Sequence, residues 1–161
     1  MCDSAEVRAI RVSYAGELGY ELYMPTYQFP SIYPSLFQVG GPMGLCDFGG
    51  FAFNSMRMEK MYRSWGHEFT EEVTTVEAGM VGRFLDTSRD FIGVEEIRKR
   101  ELNGTDTLLA YLAFDDDIEC ECYGNEAVYH NGVVVGLTTS GAYGYRVGHS
   151  LAFAYVLPTL V

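Results

Sequence analysis

Apolar and aromatic residues flank a short glycine-bounded segment near the start of the chain, and this pattern predicts a β-hairpin. Residues 6–14 and 20–24 have the composition of two strands. Gly16 and Gly19 bound the segment between them and can supply the positive φ that a tight turn needs. A loop from Gly16 to Gly19 is therefore the expected connection.

This loop fixes which residues face each other across the hairpin. Ala15 would pair with Tyr20, and Tyr14 would pair with Glu21. Because cross-strand partners point to the same face of a sheet, a phenol and a carboxylate would lie side by side. The alternative is a surface hairpin with a solvated Glu21, since exposed glutamate is the rule.

Helical spacing of apolar residues follows in three places. Phe29 to Val39 carries an apolar stripe that Pro34 is expected to interrupt, and Phe51 to Arg63 is a second helix. Residues 94–103 form the clearest helix, with acidic residues in the first turn, basic residues four positions later, and Gly104 as a natural stop.

After residue 104 the pattern changes to short strands. Asn131-Gly132 is a strong type I′ hairpin signal, residues 115–121 form an acidic loop, and the final strand is expected to leave an unpaired edge near residues 150–156. We predict an α+β fold in two parts, residues 1–104 and residues 105–161. The four predicted strands are residues 107–114, 126–130, 133–139 and 151–156.

Composition narrows the classes of partner. The net charge of −11 argues against binding nucleic acid or an anionic membrane, where a basic face is expected. No apolar run approaches transmembrane length, and the first residues lack the basic and apolar regions of a signal peptide. The four cysteines show no disulfide spacing, so we expect reduced thiols in a cytosol-like compartment.

Most chemical motifs are absent from the sequence. The histidines match no metal-ligand spacing, and residues 115–117 lack the alternation of a calcium loop, so we predict no metal site. The glycines form no dinucleotide-binding fingerprint, and no nucleophile elbow is present.

Four blocks in order carry a resemblance to a known family. Residues 14–21, Tyr-Ala-Gly-Glu-Leu-Gly-Tyr-Glu, resemble a motif of the glycine-cleavage T-protein (aminomethyltransferase) family. Residues 62–68 look most like the C-terminal folate-binding region of dimethylglycine and sarcosine dehydrogenases within that family. With residues 14–21, the other three of the four blocks are residues 54–60, residues 74–79, and the segment from Thr139-Ser140-Gly141 to Ala154-Tyr155-Val156.

The resemblance implies tetrahydrofolate binding. The family's pterin-binding Glu corresponds to Glu21, and a Tyr of the same pocket corresponds to Tyr14. Arg57 is expected to anchor the fold through an ion pair and is a candidate folate contact. His67 lies where the family chain passes near the pocket. Phe53 stands where T-proteins have a folate-contacting Arg, which the dehydrogenase branch also lacks.

The implied fold is part of the folate-binding lobe, residues 1–104, followed by a truncated antiparallel β-barrel, residues 105–161. The implied chemistry is transfer of an aminomethyl or iminium carbon to tetrahydrofolate, with an N-methylated glycine derivative as the amine. The family's catalytic Asp and FAD domain lie outside this chain, so no catalytic residue is assigned and we expect the isolated chain to be weak or inactive. The expected location is the cytoplasm, or the mitochondrial matrix in a eukaryote.

Two alternatives stay open. One is a non-catalytic folate-binding module, such as the T-protein homologue involved in iron–sulfur cluster maintenance. That group carries a Lys-Gly-Cys-Tyr motif, and residues 60–63, Lys-Met-Tyr-Arg, lack its Cys. The other is a structural remnant that needs a partner polypeptide or a second copy of itself.

Overall fold

The computed structural model describes residues 6–115 and 121–161. Its elements are three α-helices, six β-strands and short 3₁₀ turns. In chain order they are β1 (Arg8–Ile10), β2 (Glu21–Tyr23), α1 (Phe29–Gly40), α2 (Gly50–Glu59), α3 (Val94–Asn103), β3 (Leu108–Ala113), β4 (Ala127–His130), β5 (Val133–Gly144) and β6 (His149–Val156). No described helix is long and apolar enough to cross a membrane.

The first hairpin exists, but its predicted register is wrong. Ile10 is the partner of Glu21, so residues 11–20 form the connection, which is far longer than the expected Gly16–Gly19 loop. Tyr14 lies inside this connection and does not face Glu21. Its hydroxyl donates to the carbonyl oxygen of Arg63 at 2.7 Å, so a contact with a distant segment outweighs strand pairing.

The helices follow the sequence signals to different degrees. The prediction for residues 94–103 is confirmed, and Gly104 ends this helix with a φ of 79°. The expected interruption at Pro34 is wrong, because α1 continues through it; the proline ring has a helical φ and removes a single backbone donor. The second helix, α2, ends at Glu59 and not at Arg63, since Met61 adopts a φ of 57°.

The C-terminal strands form one antiparallel sheet in the order β3-β6-β5-β4. Asn131 and Gly132 both have positive φ, 52° and 79°, which confirms the predicted turn between β4 and β5. The unpaired edge predicted at residues 150–156 is wrong, because β6 pairs with β3 on one side and β5 on the other. Most of the predicted acidic loop lies outside the described residues.

The hydrophobic core lies where α2 packs on this sheet. Its central buried residues are Met58, Ala142, Leu151 and Phe153. The Tyr111 hydroxyl donates to the carbonyl oxygen of Met58 at 2.7 Å and joins helix to sheet. By contrast, every residue of β1 and β2 is exposed. The α+β class is thus confirmed, with the core placed between α2 and the C-terminal sheet.

Candidate functional site

Glu21 presents its carboxylate to solvent on β2. The Tyr23 hydroxyl, two residues along the same face, donates a hydrogen bond to Glu21 Oε2. This bond and the charge of Glu21 raise the pKa of Tyr23. Oε1 accepts no hydrogen bond from any residue that the structure describes, so the carboxylate keeps capacity to accept donors from a ligand.

A small apolar cavity adjoins β2. Its volume is about 400 Å³, and it lies between β2 and the exposed side of α1. The Tyr33 hydroxyl donates to Asp47 Oδ2 at 2.6 Å, and this bond raises the pKa of Tyr33. The cavity is lined by apolar and aromatic residues with one threonine: Leu22, Tyr23, Met24, Thr26, Phe29, Ile32, Tyr33 and Leu36.

Tyr14 belongs to an aromatic cluster. Its ring stacks on Tyr62 with a centroid distance of 6.1 Å and lies 5.5 Å from the tilted ring of Phe53. Because its hydroxyl already donates to the Arg63 carbonyl, Tyr14 offers a ligand a ring face and not a hydrogen-bond donor. Phe53, where the sequence departs from the T-protein pattern, completes this apolar surface.

Arg57 is 2% exposed and forms the ion pair that the sequence led us to expect. Its Nη1 lies 3.0 Å from Glu68 Oε2. The same guanidinium donates to Asn54 Oδ1 at 2.8 Å, to the Tyr62 carbonyl at 2.9 Å and to Ser140 Oγ at 2.8 Å. These bonds tie α2 to the sheet.

Glu68 is the residue that sequence reasoning missed. It is fully buried, accepts from the Ser64 backbone N–H at 2.7 Å and from Thr139 Oγ1 at 2.6 Å, and also accepts from the Ser140 hydroxyl. In the sequence it stands beside His67 in an irregular segment, where no periodicity marks it as buried. Its place in the block of residues 62–68 was the one available signal.

Glu77, in the block of residues 74–79, has a comparable structural role. Burial raises its pKa, but hydrogen bonds from Thr74 and the charge of Arg100 outweigh this and leave the pKa lowered. Arg100 Nη1 lies 2.8 Å from Glu77 Oε1, and the Glu77 carbonyl accepts from the Leu109 N–H at 2.8 Å. Glu77 therefore joins α3 and β3 to the irregular segment.

His67 is exposed and lines a second cavity, larger than the one beside β2. This cavity, of about 610 Å³, lies between the start of α2 and the end of β5, and Arg57 also lines it. Neither Tyr14 nor Glu21 does. The structure thus brings Arg57 and His67 together and leaves Glu21 and Tyr14 elsewhere, at an open carboxylate and in an aromatic cluster.

Comparison with protein-family models shows to which family this chain belongs. The model of the GCVT N-terminal domain matches residues 1–88, more than half of the chain. The chain belongs to the glycine cleavage T-protein family. The model of the glycine cleavage T-protein C-terminal barrel domain matches residues 109–161, so this T-protein family member carries both parts in the family's order.

Two of the proteins that are similar in sequence to this chain are mitochondrial dehydrogenases. The chain is 41% identical over 152 residues to human mitochondrial dimethylglycine dehydrogenase, covering 93% of this chain and 17% of that protein. It is 33% identical over 151 residues to mouse mitochondrial sarcosine dehydrogenase, with 93% and 16% covered. The chain therefore spans less than a fifth of the length of these relatives.

A solved structure supports the fold. The glycine cleavage system aminomethyltransferase T from Bartonella henselae superposes with a TM-score of 0.79 at 20% identity, covering 94% of this chain and 42% of that one. At this identity the likeness bears on the fold alone. It agrees with the α+β architecture described above.

Proposed function

We propose that this chain is the tetrahydrofolate-binding portion of a one-carbon (aminomethyl) transfer enzyme of the dimethylglycine or sarcosine dehydrogenase or T-protein type. The observation that carries the proposal is the open carboxylate of Glu21, at the motif position that binds the pterin in the family. In this proposal residues 1–104 are part of the folate-binding lobe and residues 105–161 part of an incomplete barrel.

The chemistry of Glu21 fits a pterin. An ionised carboxylate accepts about four hydrogen bonds, and Tyr23 uses one of these positions. The N3–H and 2-amino groups of a pterin form an adjacent donor pair, which a carboxylate accepts through two charge-assisted bonds. Such bonds are short and strong, so Glu21 would fix the orientation of the ring.

Aromatic and apolar surfaces of the same lobe fit the rest of the ligand. Tyr14, Tyr62 and Phe53 offer ring faces to a ligand. The Tyr14 hydroxyl needs no partner on the ligand, because it already donates to the Arg63 carbonyl. The apolar cavity between β2 and α1 offers a second surface beside the strand that carries Glu21. Stacked and edge-on aromatic contacts add affinity beyond the area that they bury.

Arg57 and His67 remain predicted folate contacts of lower rank. Three hydrogen bonds and the Glu68 ion pair already engage the Arg57 guanidinium, so its direct use by a ligand would compete with the fold. The exposed imidazole of His67 has no such commitment among the described residues. Substitution of His67 therefore separates a ligand role from a folding role better than substitution of Arg57.

Tetrahydrofolate, when bound, supplies the nitrogen that accepts the one-carbon unit. In this proposal the residues of this chain bind and orient tetrahydrofolate. The proton-transferring carboxylate and the FAD-dependent oxidation of the amine belong to other parts of a larger protein. An N-methylated glycine derivative is the proposed amine. The mitochondrial matrix is the proposed location if the source is a eukaryote, in keeping with the relatives named above.

The test is calorimetric titration of the wild-type protein and the Glu21→Gln variant with 5-formyltetrahydrofolate. Glutamine keeps the shape and one acceptor but loses the charge, so we expect a loss of about 1.5–3 kcal/mol, or roughly ten- to a hundredfold in affinity. Glu101→Gln is the matched control, because Glu101 is exposed on α3 away from both cavities. Equal affinity of all three proteins would overturn the role of Glu21.

A further inference from the structure

Helix α1 carries no charged side chain and lies almost entirely open to solvent. Asp, Glu, Lys and Arg make up 20% of the chain, yet residues 22–46, which include α1 and the turns on either side of it, contain none of them. In the described structure Ile32 is the one buried residue of this helix. A surface helix normally has charged or polar residues opposite its apolar stripe and buries the stripe itself. The composition of α1 is therefore that of a covered helix.

The apolar residues of α1 form a stripe along one side. Phe29, Tyr33 and Leu36 recur at helical spacing and line the open cavity of about 400 Å³ beside β2. The Tyr33 ring lies 5.3 Å from the ring of Phe29 and 4.9 Å from that of Phe37. Val39 continues the stripe and is 69% exposed. A stripe of this kind stabilises a fold when another apolar surface packs on it, and the open cavity shows that this packing is incomplete.

The exposed stripe and the neighbouring strand form one surface, the α1 face. It consists of six partly exposed apolar or aromatic residues: Leu22, Tyr23, Phe29, Tyr33, Leu36 and Val39. Since a large aromatic side chain buries about 150–250 Å² and these residues are roughly half exposed, the face offers on the order of 500 Å². Two such faces in contact would bury about 1,000 Å², which is the lower limit for a specific protein interface.

The distribution of charge points to a second copy as the occupant. The net charge of −11 makes two copies repel each other, and the α1 face is a surface on which they can meet without opposing charges. The carboxylates at its border, Glu21 and Asp47, accept hydrogen bonds from tyrosine hydroxyls of the face and lie at an exposed rim, where salt screens repulsion. With no charge of its own, the face selects an equally uncharged apolar surface, and the same face of another copy is one.

We propose that two copies of this chain form a dimer through the α1 face. The contact is isologous, with the face meeting itself around a two-fold axis. With the two helices antiparallel, Phe29 of one copy packs near Val39 of the other, and the apolar side chains of each copy cover the open cavity of the other. The dimer is a property of this surface and does not depend on the folate proposal.

Sedimentation velocity of the wild-type protein over a series of concentrations tests the dimer, with no folate present. We expect monomer at about 1 μM and mostly dimer at about 200 μM, as for a small apolar interface with a Kd of roughly 10 μM. Monomer alone across this range would leave the α1 face to a different polypeptide and would overturn the proposal.

Variants locate the contact. Val39→Glu places a negative charge in the α1 face of each copy, so we expect the dimer to weaken about tenfold or more. Ile92→Glu is the matched control, because Ile92 is 103% exposed and lies outside this face, and it should leave the Kd unchanged. Far-UV circular dichroism of both should match the wild type, since both positions are exposed.

Phe29→Ala tests the same contact without adding a charge. It removes a ring from the face, and we expect it to weaken the dimer roughly five- to fiftyfold. This variant keeps the test decisive if Val39→Glu disturbs the helix. A dimer that Phe29→Ala leaves unchanged, or that Ile92→Glu weakens as much as Val39→Glu does, would overturn the assignment of the interface to α1.

Discussion

Glu21 and Glu68 differ in solvent exposure and therefore in role. Glu21 is open to solvent with one neighbouring donor, whereas Glu68 is fully buried and neutralises Arg57. A carboxylate that is to bind a ligand needs free acceptor positions, and a buried one needs all of its positions filled. The environment of each side chain is thus compatible with the ligand role proposed for Glu21 and explains the structural role of Glu68.

The buried pair leads to a stability prediction. Glu68→Gln leaves the Arg57 guanidinium buried without its counter-charge, and we expect a loss of about 3–5 kcal/mol in the free energy of unfolding. Urea unfolding measures this loss. Glu95→Gln is the control, because it breaks the exposed Glu95–Arg98 pair and should change stability by no more than about 1 kcal/mol. Similar losses for the two variants would contradict the assigned role of Glu68.

Tyr155 leads to a pH prediction. Burial, followed by the charges of Glu68 and Glu77, raises the pKa of Tyr155 to about 12 from 10.0. The unfolded state therefore releases this proton first, and the stability it contributes is complete below about pH 10 and lost between about pH 10 and 12. Because the side chain is partly exposed, we expect about 1–2 kcal/mol.

The measurement is the free energy of unfolding at about pH 9 and about pH 11 for the wild type and for Tyr155→Phe. The variant loses the hydrogen bond from Tyr155 to the Glu68 carbonyl and is less stable at both pH values. Its decline between them should be smaller than that of the wild type. An identical decline would show that other groups cause the alkaline loss.

At the residue scale, the sequence predicted one partner of the buried ion pair and not the other. It indicated that Arg57 would find an ion pair, but the partner, Glu68, follows eleven residues later through an irregular segment. No helical or strand period connects the two positions. A buried partner of this kind is specified by tertiary packing and not by a local pattern.

At the element scale, locally encoded features were predictable. A type I′ turn needs positive φ at two successive residues, which Asn or Asp followed by Gly adopts readily, and Asn131-Gly132 has it. Acidic residues at the start and Gly104 at the end fixed the bounds of α3. The register of the first hairpin was not predictable in this way, because the contacts of Tyr14 with Tyr62 and Arg63 connect segments far apart in the sequence.

The turn itself provides a prediction. Gly132 has a φ of 79° and open space around the position of a Cβ. The only cost of Gly132→Ala is therefore the strain of an alanine in the left-handed backbone conformation. We expect a loss of about 1–2 kcal/mol in thermal or urea unfolding. Gly41→Ala is the matched control, since Gly41 also has open space but a helical φ of −53°, and it should be neutral or slightly stabilising. The turn assignment fails if Gly132→Ala is also neutral.

For the whole molecule, burial divides the structure into two levels of stability. Six of the eight residues of β6 are buried, whereas Ile32 is the one buried residue of α1 and β1 and β2 have none. Elements with little buried surface open at lower free energy than the core. The part formed by β1, β2 and α1, which carries Glu21, is therefore the more easily opened part of the molecule.

Amide hydrogen exchange tests this division. We expect the amides of β5 and β6 to exchange slowest, and those of β1, β2 and α1 to exchange much faster, because few buried contacts hold the latter. Mass spectrometry of peptides from the two regions measures the difference. Uniform protection along the chain would contradict the division.

The order of strands in the sheet exceeded what the sequence could reveal. Residues 150–156 have the length and composition of a strand, but nothing local states how many neighbours the strand has. The almost complete burial of β6 is the consequence of its central place. The family resemblance, in contrast, depended on four ordered blocks and was confirmed by the two domain models.

Binding of a reduced folate through its pterin ring is the function proposed for this chain. Calorimetric titration of the wild-type protein with 5-formyltetrahydrofolate tests it most directly, with p-aminobenzoylglutamate, which lacks the pterin, as the comparison ligand. We expect saturable binding of one 5-formyltetrahydrofolate per chain and much weaker binding of the fragment, because the donor pair for Glu21 lies on the pterin. Absence of saturable binding, or equal binding of the two ligands, would contradict it.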